Sequence, residues 1–561
     1  MALRNKESTF LTAPQTRMSR SAFPYSQRKI FTCNQGALVP FFVDATIMPG
    51  DTFKLNLSLV ARMLTPIAPT MDDIYLDTYF FFTPYRLVWD HFKEFYGENT
   101  SGAWVQETEY TKPKLILDAT VPDPYAPAGT TIYNNSFQVG SVWDYLYGGN
   151  VDTITYAEVD ALPIRAYVTI YNEWFRDENW IAPKTCPTDD NNIYFSLFET
   201  VNGGPCFRIA KYHDLYTSLL PAPQKGTAVT LPLGTTAPVK LSGTNTYAIV
   251  RKATDGTVMP ASFGTPTDSL SLCVGNNGEF VNEATSNNNF IQGFLDPNGT
   301  LMTDLSNATA ANINALREAF AYQRIMEKMA RGGTRYTEIV KSFWGVNAAD
   351  SRLQRPEYLG GKSLPLSMYQ VPQTSSTDAV TPQGNLAGYL HSATSDRAFT
   401  KSFTEHGCVI GLLAIRQKHS YQQGIERQFQ MFRKYDNYFP QLAFLGEQAV
   451  KTVELYNGDP TTDEIVLGFN EAWYQYRYRQ DTVAGYMRSG ISGSLDIWHY
   501  ADYYTSAPTI SEAFINETDT YLKRTLAVQE NTHQFQIATM VKGTAVREIP
   551  LRSIPGLIDH M

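Results

Sequence analysis

Apolar residues recur on a period of two near both ends of this chain, and that period restricts it to folds built from paired strands. The stretch "GALVPFFVDATIMPGDTFKLNLSLVARML" holds two apolar runs around the Pro49-Gly50 turn, and "DIYLDTYFFFTP" supplies another strand. The texture returns in "KSLPLSMYQV", in the continuous run "CVIGLLAI", in "PQLAFL" and in "WYQYRYRQ". In the last of these, Tyr474, Tyr476 and Tyr478 fall on one phase and Trp473, Gln475, Arg477 and Arg479 on the other, which predicts a strand with rings on one face and arginines on the opposite one. Between the two β regions the spacing changes to three and four. "YRLVWDHFKEFYG" and "LPIRAYVTIYNEWFRDENW" read as helices, the second with Pro163 near its start, where a missing N–H does no harm. "NALREAFAYQRIMEKMARGG" is the clearest helix, with Leu316, Ala319, Phe320, Met326 and Met329 on one face and Gly332 suited to its cap, and "TRYTEIVKSFWGV" reads as a short helix after it. Strands gathered at both ends do not suit a doubly wound fold, in which strand and helix alternate throughout. A two-sheet antiparallel sandwich with long, partly helical connections fits better.

Two segments stand apart from this pattern. Residues 222–311 are rich in Gly, Thr, Asn and Ser, lack Trp, and carry the turn signals "GNNG", "SNNNF" and "DPNGT". They read as a polar surface insertion between residues 31–221 and residues 312–561. Residues 1–30 carry Arg4, Lys6, Arg17, Arg20, Arg28 and Lys29 against the single acid Glu7, a basic arm on a chain of net charge −9. Judged alone, such an arm is equally a solvated tail or a nucleic-acid contact. The overall charge excludes a dedicated nucleic-acid binder with a wholly basic surface, so any such contact is local. With 34 Tyr and 31 Phe against 18% charged residues, the chain needs large buried or contacting surfaces.

No constellation for catalysis emerges. "YLGGKS" resembles the end of a phosphate-binding loop, but the earlier glycine that loop requires would fall at Pro356. HExxH and GxSxG are absent, and the eight histidines never take metal-ligand spacing. His406 beside Cys408 is better read as strand alternation than as a thiol site. The acids Asp72, Asp73 and "TDDNN" at 188–192 suit turns as well as they suit glycoside hydrolysis or calcium binding. Five scattered cysteines without a CxxC pair suggest neither a disulfide framework nor a zinc site, and fit a reducing cytosol. The first residues lack an apolar export core, and no run approaches the length of a membrane span. No cofactor is implied. A carbohydrate-binding or carbohydrate-cleaving β-sandwich stays open as an alternative, given the rings and acid pairs, although the missing signal counts against it.

The run from "MSRSAFPYSQRKIFTC" through "DHFKEFYGEN" resembles the amino-terminal region of gokushovirus major capsid proteins, from the microvirus family of small single-stranded DNA bacteriophages. "ALREAFAYQRIMEKMARGGTRYTEIVKSFWGV", "RPEYLGG", "YRQDTVAGYMRSG" and "LDIWHYADYY" resemble further segments of the same proteins in the same order. The resemblance implies a mainly β fold, a single eight-stranded antiparallel jelly roll, with sixty copies closing a T=1 icosahedral shell around a circular single-stranded DNA genome. It implies that the insertion at 222–311 trimerises into a protrusion at the threefold axis and contributes to host attachment. The implied partners are further copies of the chain, the DNA, a small basic packaging protein, a minor pilot protein and a bacterial surface receptor, with assembly in the host cytoplasm and residence in the virion. In such a shell the arm (Arg4, Lys6, Arg17, Arg20, Arg28, Lys29) and the stretch with Trp473, Arg477 and Arg479 become candidates for contact with DNA, arginines offsetting phosphate charge and rings stacking on unpaired bases.

Overall fold

The computed structural model describes residues 19–98, 110–133, 139–149, 154–226, 354–374, 386–528 and 533–552, with short segments elsewhere. Contacts divide the chain into two units, one of residues 1–223 with 330–561 and one of residues 224–329.

Nine strands of the first unit form two antiparallel sheets: β1 (Ser21–Cys33), β2 (Val39–Ile47), β3 (Thr52–Met63), β4 (Ile74–Pro84), β5 (Glu357–Leu366), β6 (Met368–Pro372), β7 (Leu386–Ser402), β8 (Gly407–Gln417) and β9 (Phe535–Arg547). One sheet has the order β1-β9-β3-β7-β6 and the other β5-β4-β8-β2. The chain passes back and forth between the sheets, which is the connectivity of a jelly roll. The eight strands expected become nine because the 17-residue β7 outruns β3. Its first residues, Leu386–Leu390, pair instead with Met368–Pro372.

The two sheets share one core. Phe53, Leu55, Leu57, Leu59 and Ala61 of β3, Ile537 and Val541 of β9, and Phe80, Leu413 and Ile415 from the other sheet all pack within it. Strand β3 alternates as its sequence predicts, with Lys54, Asn56, Val60 and Arg62 exposed between buried neighbours. Strand β8 does not alternate: ten of its eleven residues are buried. Its second face, through Cys408, Ile410, Leu412 and Ala414, packs on Ile164, Tyr167, Val168 and Tyr171 of the helical region. That explains the unbroken apolar run "CVIGLLAI", since an antiparallel sheet needs polar residues only on a face that meets water. Burial also raises the Cys408 thiol above its usual range, so it is a packing residue.

The helix expected in "LPIRAYVTIYNEWFRDENW" runs over Leu162–Ile170 and continues as a π turn. The one expected in "YRLVWDHFKEFYG" reduces to a 3-10 turn at Tyr85–Leu87 and a single turn at Phe92–Phe95. In the second unit, three-residue strands form a four-stranded and a two-stranded sheet. The helix of "NALREAFAYQRIMEKMARGG" spans Ile313–Arg331. The unit extends to Met329, past the change in composition at 311, and the Lys225 amide donates to the Met326 carbonyl (3.4 Å). The stretch "TRYTEIVKSFWGV" and Gly332 lie largely outside the described residues.

Two strand expectations fail. "PQLAFL" forms a 3-10 turn at Pro440–Leu442, as befits a proline that has no N–H for a sheet ladder. "WYQYRYRQ" is a 3-10 turn at Tyr474–Tyr476, preceded by Trp473 in the left-handed region at φ 69°.

Polar groups buried behind the roll hold its loops. His419 sits between two carboxylates, Nδ1 at 2.7 Å from Asp502 Oδ1 and Nε2 at 3.1 Å from Glu517 Oε2. The Lys211 ammonium meets the other oxygen of Asp502 at 3.1 Å, and Gln35 Nε2 donates to Glu517 Oε1 at 3.1 Å. All five side chains are buried. Burial opposes a charge on His419, but the Asp502 and Glu517 carboxylates outweigh it and raise the imidazole to about 9. Asp502, despite burial, is held well below the usual carboxylate range by His419 and Lys211. The acids noted in the sequence have internal partners too: Asp72 accepts from the Tyr500 amide (2.6 Å), and Asp190 from Trp89 Nε1 (2.7 Å) and His91 Nδ1 (2.9 Å).

Candidate nucleic-acid interface

The basic arm is a strand from Ser21 onward, and a strand sends neighbours to opposite faces. Arg28 points outward and is exposed, whereas Lys29 turns inward, where its ammonium reaches the carbonyls of Pro40 (3.3 Å) and Tyr145. Burial lowers the Lys29 pKa to about 8, with Asp144 acting in the opposite sense. Lys29 is therefore a bracing residue of the roll and is not available to a partner. Arg20 is exposed just before the strand, while Arg4, Lys6 and Arg17 lie outside the described residues.

What surrounds Arg28 follows from the register. Across β1, β9, β3 and β7 the outward face reads in rows: Thr32, Gln536, Arg62, His391; then Ile30, Ala538, Val60, Ala393; then Arg28, Met540, Ser58, Ser395. It continues with Ser26, Lys542, Asn56, Arg397, then Pro24, Thr544, Lys54, Thr400, then Ala22, Val546, Thr52, Ser402. Arg28, Lys54, Arg62, Arg397 and Lys542 are all exposed, and these rows contain no Asp or Glu. Arg547 shows the contrast: on the inward phase of β9, it pairs with Asp44 (3.3 Å) and Asp51 (3.5 Å). Neighbouring strands lie about 4.8 Å apart, so the outward cations stand within roughly one to two Debye lengths of one another at physiological salt. Their mutual repulsion falls when a polyanion is placed against them. Between the charges are hydroxyl and amide groups, including the Ser58–Ser395 pair (Oγ to Oγ 2.8 Å) and the Thr52–Ser402 pair (2.8 Å). Such a face can hold phosphates by charge and hydrogen bonds, and on the same outward phase it carries His391 and the exposed, stacked pair Tyr369 and Tyr389.

The second candidate stretch is turned to internal work. Trp473 is buried, donating from Nε1 to the Leu442 carbonyl at 2.8 Å. Arg477 pairs with Glu471 and donates to the Ala472 carbonyl, both at 2.8 Å. Arg479 donates to the carbonyls of Gln475 and Tyr478. The arginines thus hold the turn that the tyrosines were expected to share as a strand.

A sequence profile of a phage capsid family, described as Capsid protein (F protein), matches residues 12–557. This chain belongs to that capsid family. Three curated relatives span nearly its whole length, all described as Capsid protein VP1. That of Bdellovibrio phage phiMH2K is 38% identical over 94% of this chain and 93% of the relative. That of Spiroplasma virus 4 is 38% identical over 96% and 95%. That of Chlamydia phage 1 is 33% identical over 98% of each. The protein is a major capsid protein of the gokushovirus-like microviruses. A capsid protein is a structural component of the virion and assembles with its own copies into a shell, and among the described residues no helix is long and apolar enough to cross a membrane. Membership supports the capsid reading over the carbohydrate-binding or carbohydrate-cleaving sandwich.

Of the residues on the capsid protein's basic face, the sequence singled out Arg28 alone. Lys54 and Arg62 were legible as one phase of "TFKLNLSLVARM", but Arg397 and Lys542 join them only through pairing partners hundreds of positions away.

Proposed function

We propose that sixty copies of this capsid protein close a T=1 icosahedral shell around a circular single-stranded DNA genome, with the free face of the five-stranded sheet against the DNA. The observation that carries the second part is the absence of any carboxylate from six cross-strand rows holding Arg28, Lys54, Arg62, Arg397 and Lys542, on a chain of net charge −9. A chain with an excess of acids concentrates unpaired cations on one surface when that surface meets an anion. The other sheet cannot serve, because helices and loops cover its outer side. On this reading the subunit does structural work with no chemical step. A small basic packaging protein and a minor pilot protein share the interior, and assembly takes place in the bacterial cytoplasm. Residues 222–311 form the threefold protrusion that meets the surface receptor.

The test is to replace Lys54, Arg62, Arg397 and Lys542 by Gln together. All four are exposed, so the subunit should fold and shells should form. The ratio of absorbance at 260 to that at 280 nm should show at least a twofold loss of packaged DNA. Purified subunits binding oligothymidylate should lose about 3 from the slope of log affinity against log salt, at roughly 0.7 per phosphate contact on a single strand. Arg477→Gln with Arg479→Gln serves as the control and should leave both readings unchanged. Unaltered DNA content in the fourfold variant would remove this face from the interface.

The insertion has its own test. A chain lacking residues 230–300 should fold and form particles, because closing a shorter surface loop costs little, while adsorption to host cells drops at least tenfold. Normal adsorption would detach the insertion from receptor binding.

A further inference from the structure

Building on the capsid reading, we infer that the segment 425–445 is a contact face that a second copy of this chain covers in the shell. Five rings in this short segment are exposed, and four of them stand mostly in solvent: Phe429 is 67% exposed, Phe432 87%, Tyr435 70% and Phe444 99%. They are not on a loose loop. Three 3-10 turns order it, at Arg427–Phe429, Lys434–Asp436 and Pro440–Leu442. Arg427 Nη1 donates to the Ala449 carbonyl (2.8 Å), the Arg433 amide to Asp436 Oδ2 (2.8 Å), and the buried Trp473 indole to the Leu442 carbonyl (2.8 Å). The hydrogen-bonded framework therefore holds the rings out while its own polar groups are satisfied internally.

Area and charge identify the occupant. At roughly 200 Å² for a whole aromatic side chain, the four rings present roughly 600 Å², most of the ~800 Å² that each partner gives to a standard protein interface. Aromatic residues flanked by both signs of charge are the composition of protein–protein contacts. Here Arg427, Arg433 and Lys434 are interspersed with Glu426 and Asp436, and Arg427 is paired with Glu454, unlike the carboxylate-free sheet face, so the segment does not select a polyanion. A subunit that must meet its own copies supplies the partner.

Phe432→Ser with Phe444→Ser tests this. Both rings are exposed in the subunit, so its melting temperature should stay within a degree or two of the parent's. Sedimentation should show free subunits, with the yield of shells at least tenfold lower. Shells at the parental yield would overturn the inference, and shells at that yield with less DNA would do so by assigning the segment to the genome. Failure of the unsubstituted chain to form shells under the same conditions would instead fault the capsid reading itself. Phe444→Cys gives an independent measurement. A maleimide dye should label the introduced thiol in dissociated subunits and leave it unlabelled in intact particles, and equal labelling would overturn the inference as well.

Discussion

His419→Ala is expected to destabilise the folded subunit by roughly 3–5 kcal/mol, the usual cost of stranding a buried charge by removing its partner. The imidazolium lies between Asp502 and Glu517; without it Asp502 keeps the Lys211 ammonium, while Glu517 is left with the neutral donor Gln35. Chemical denaturation at pH 7 checks this, and a loss under 1 kcal/mol would mean that the carboxylates find other partners. The same contact fixes a pH dependence. The folded-state pKa of about 9 lies above the ordinary 6.5, so protonated His419 favours the folded state. That contribution is fully present below pH 6.5 and is lost as pH rises through about 9. Stability of the parent subunit should fall over this window, and the alanine variant should show a flatter profile there.

Gly36→Ala should cost about 3 kcal/mol or more, from two causes that add. Gly36 lies between β1 and β2 at φ +78°, where a side chain costs about 1–2 kcal/mol. A Cβ there would also come within 2.4 Å of the Glu517 carbonyl oxygen, a backbone atom that cannot rotate away. The glycine cannot easily withdraw, because its amide donates to the Ile415 carbonyl (3.0 Å) and its carbonyl accepts from the Ile209 amide (2.9 Å). Displacing Glu517 loosens the carboxylate that grips His419, so the double variant with His419→Ala should lose less than the two single losses combined. Strict additivity in the same denaturation experiment would show that the strain does not reach the histidine.

Elements whose burial is decided by their own neighbours were readable from sequence. The alternation of "TFKLNLSLVARM", the unbroken run "CVIGLLAI" and the helix beginning at "LPIRAYV" each report a face packed against a large core. The turn at 473–476 was not readable, because distant groups set it. Tyr474 reaches the Glu454 carboxylate and Trp473 the Leu442 carbonyl, and these contacts outweigh an alternating pattern whose period a 3-10 turn does not share. The arm misled in a different way. Arg28 and Lys29 are adjacent charges along the chain, but strand phase puts Arg28 in solvent and Lys29 inside. The basic face was hidden because it is a property of rows, and a row belongs to four strands at once.

The place of β9 bears on how a subunit is made. The last strand of the roll lies between β1 and β3, and pairs with β1 from Cys33↔Phe535 to Ser21↔Arg547. During synthesis, β1 and β3 must wait with unpaired edges until Phe535–Arg547 has left the ribosome, since among the described residues no earlier strand occupies that lane. A chain broken off before Phe535 lacks both the strand that joins them and Lys542 on the basic face. The sheet is therefore closed only once Phe535–Arg547 has been made, and a product truncated before it carries open edges on β1 and β3.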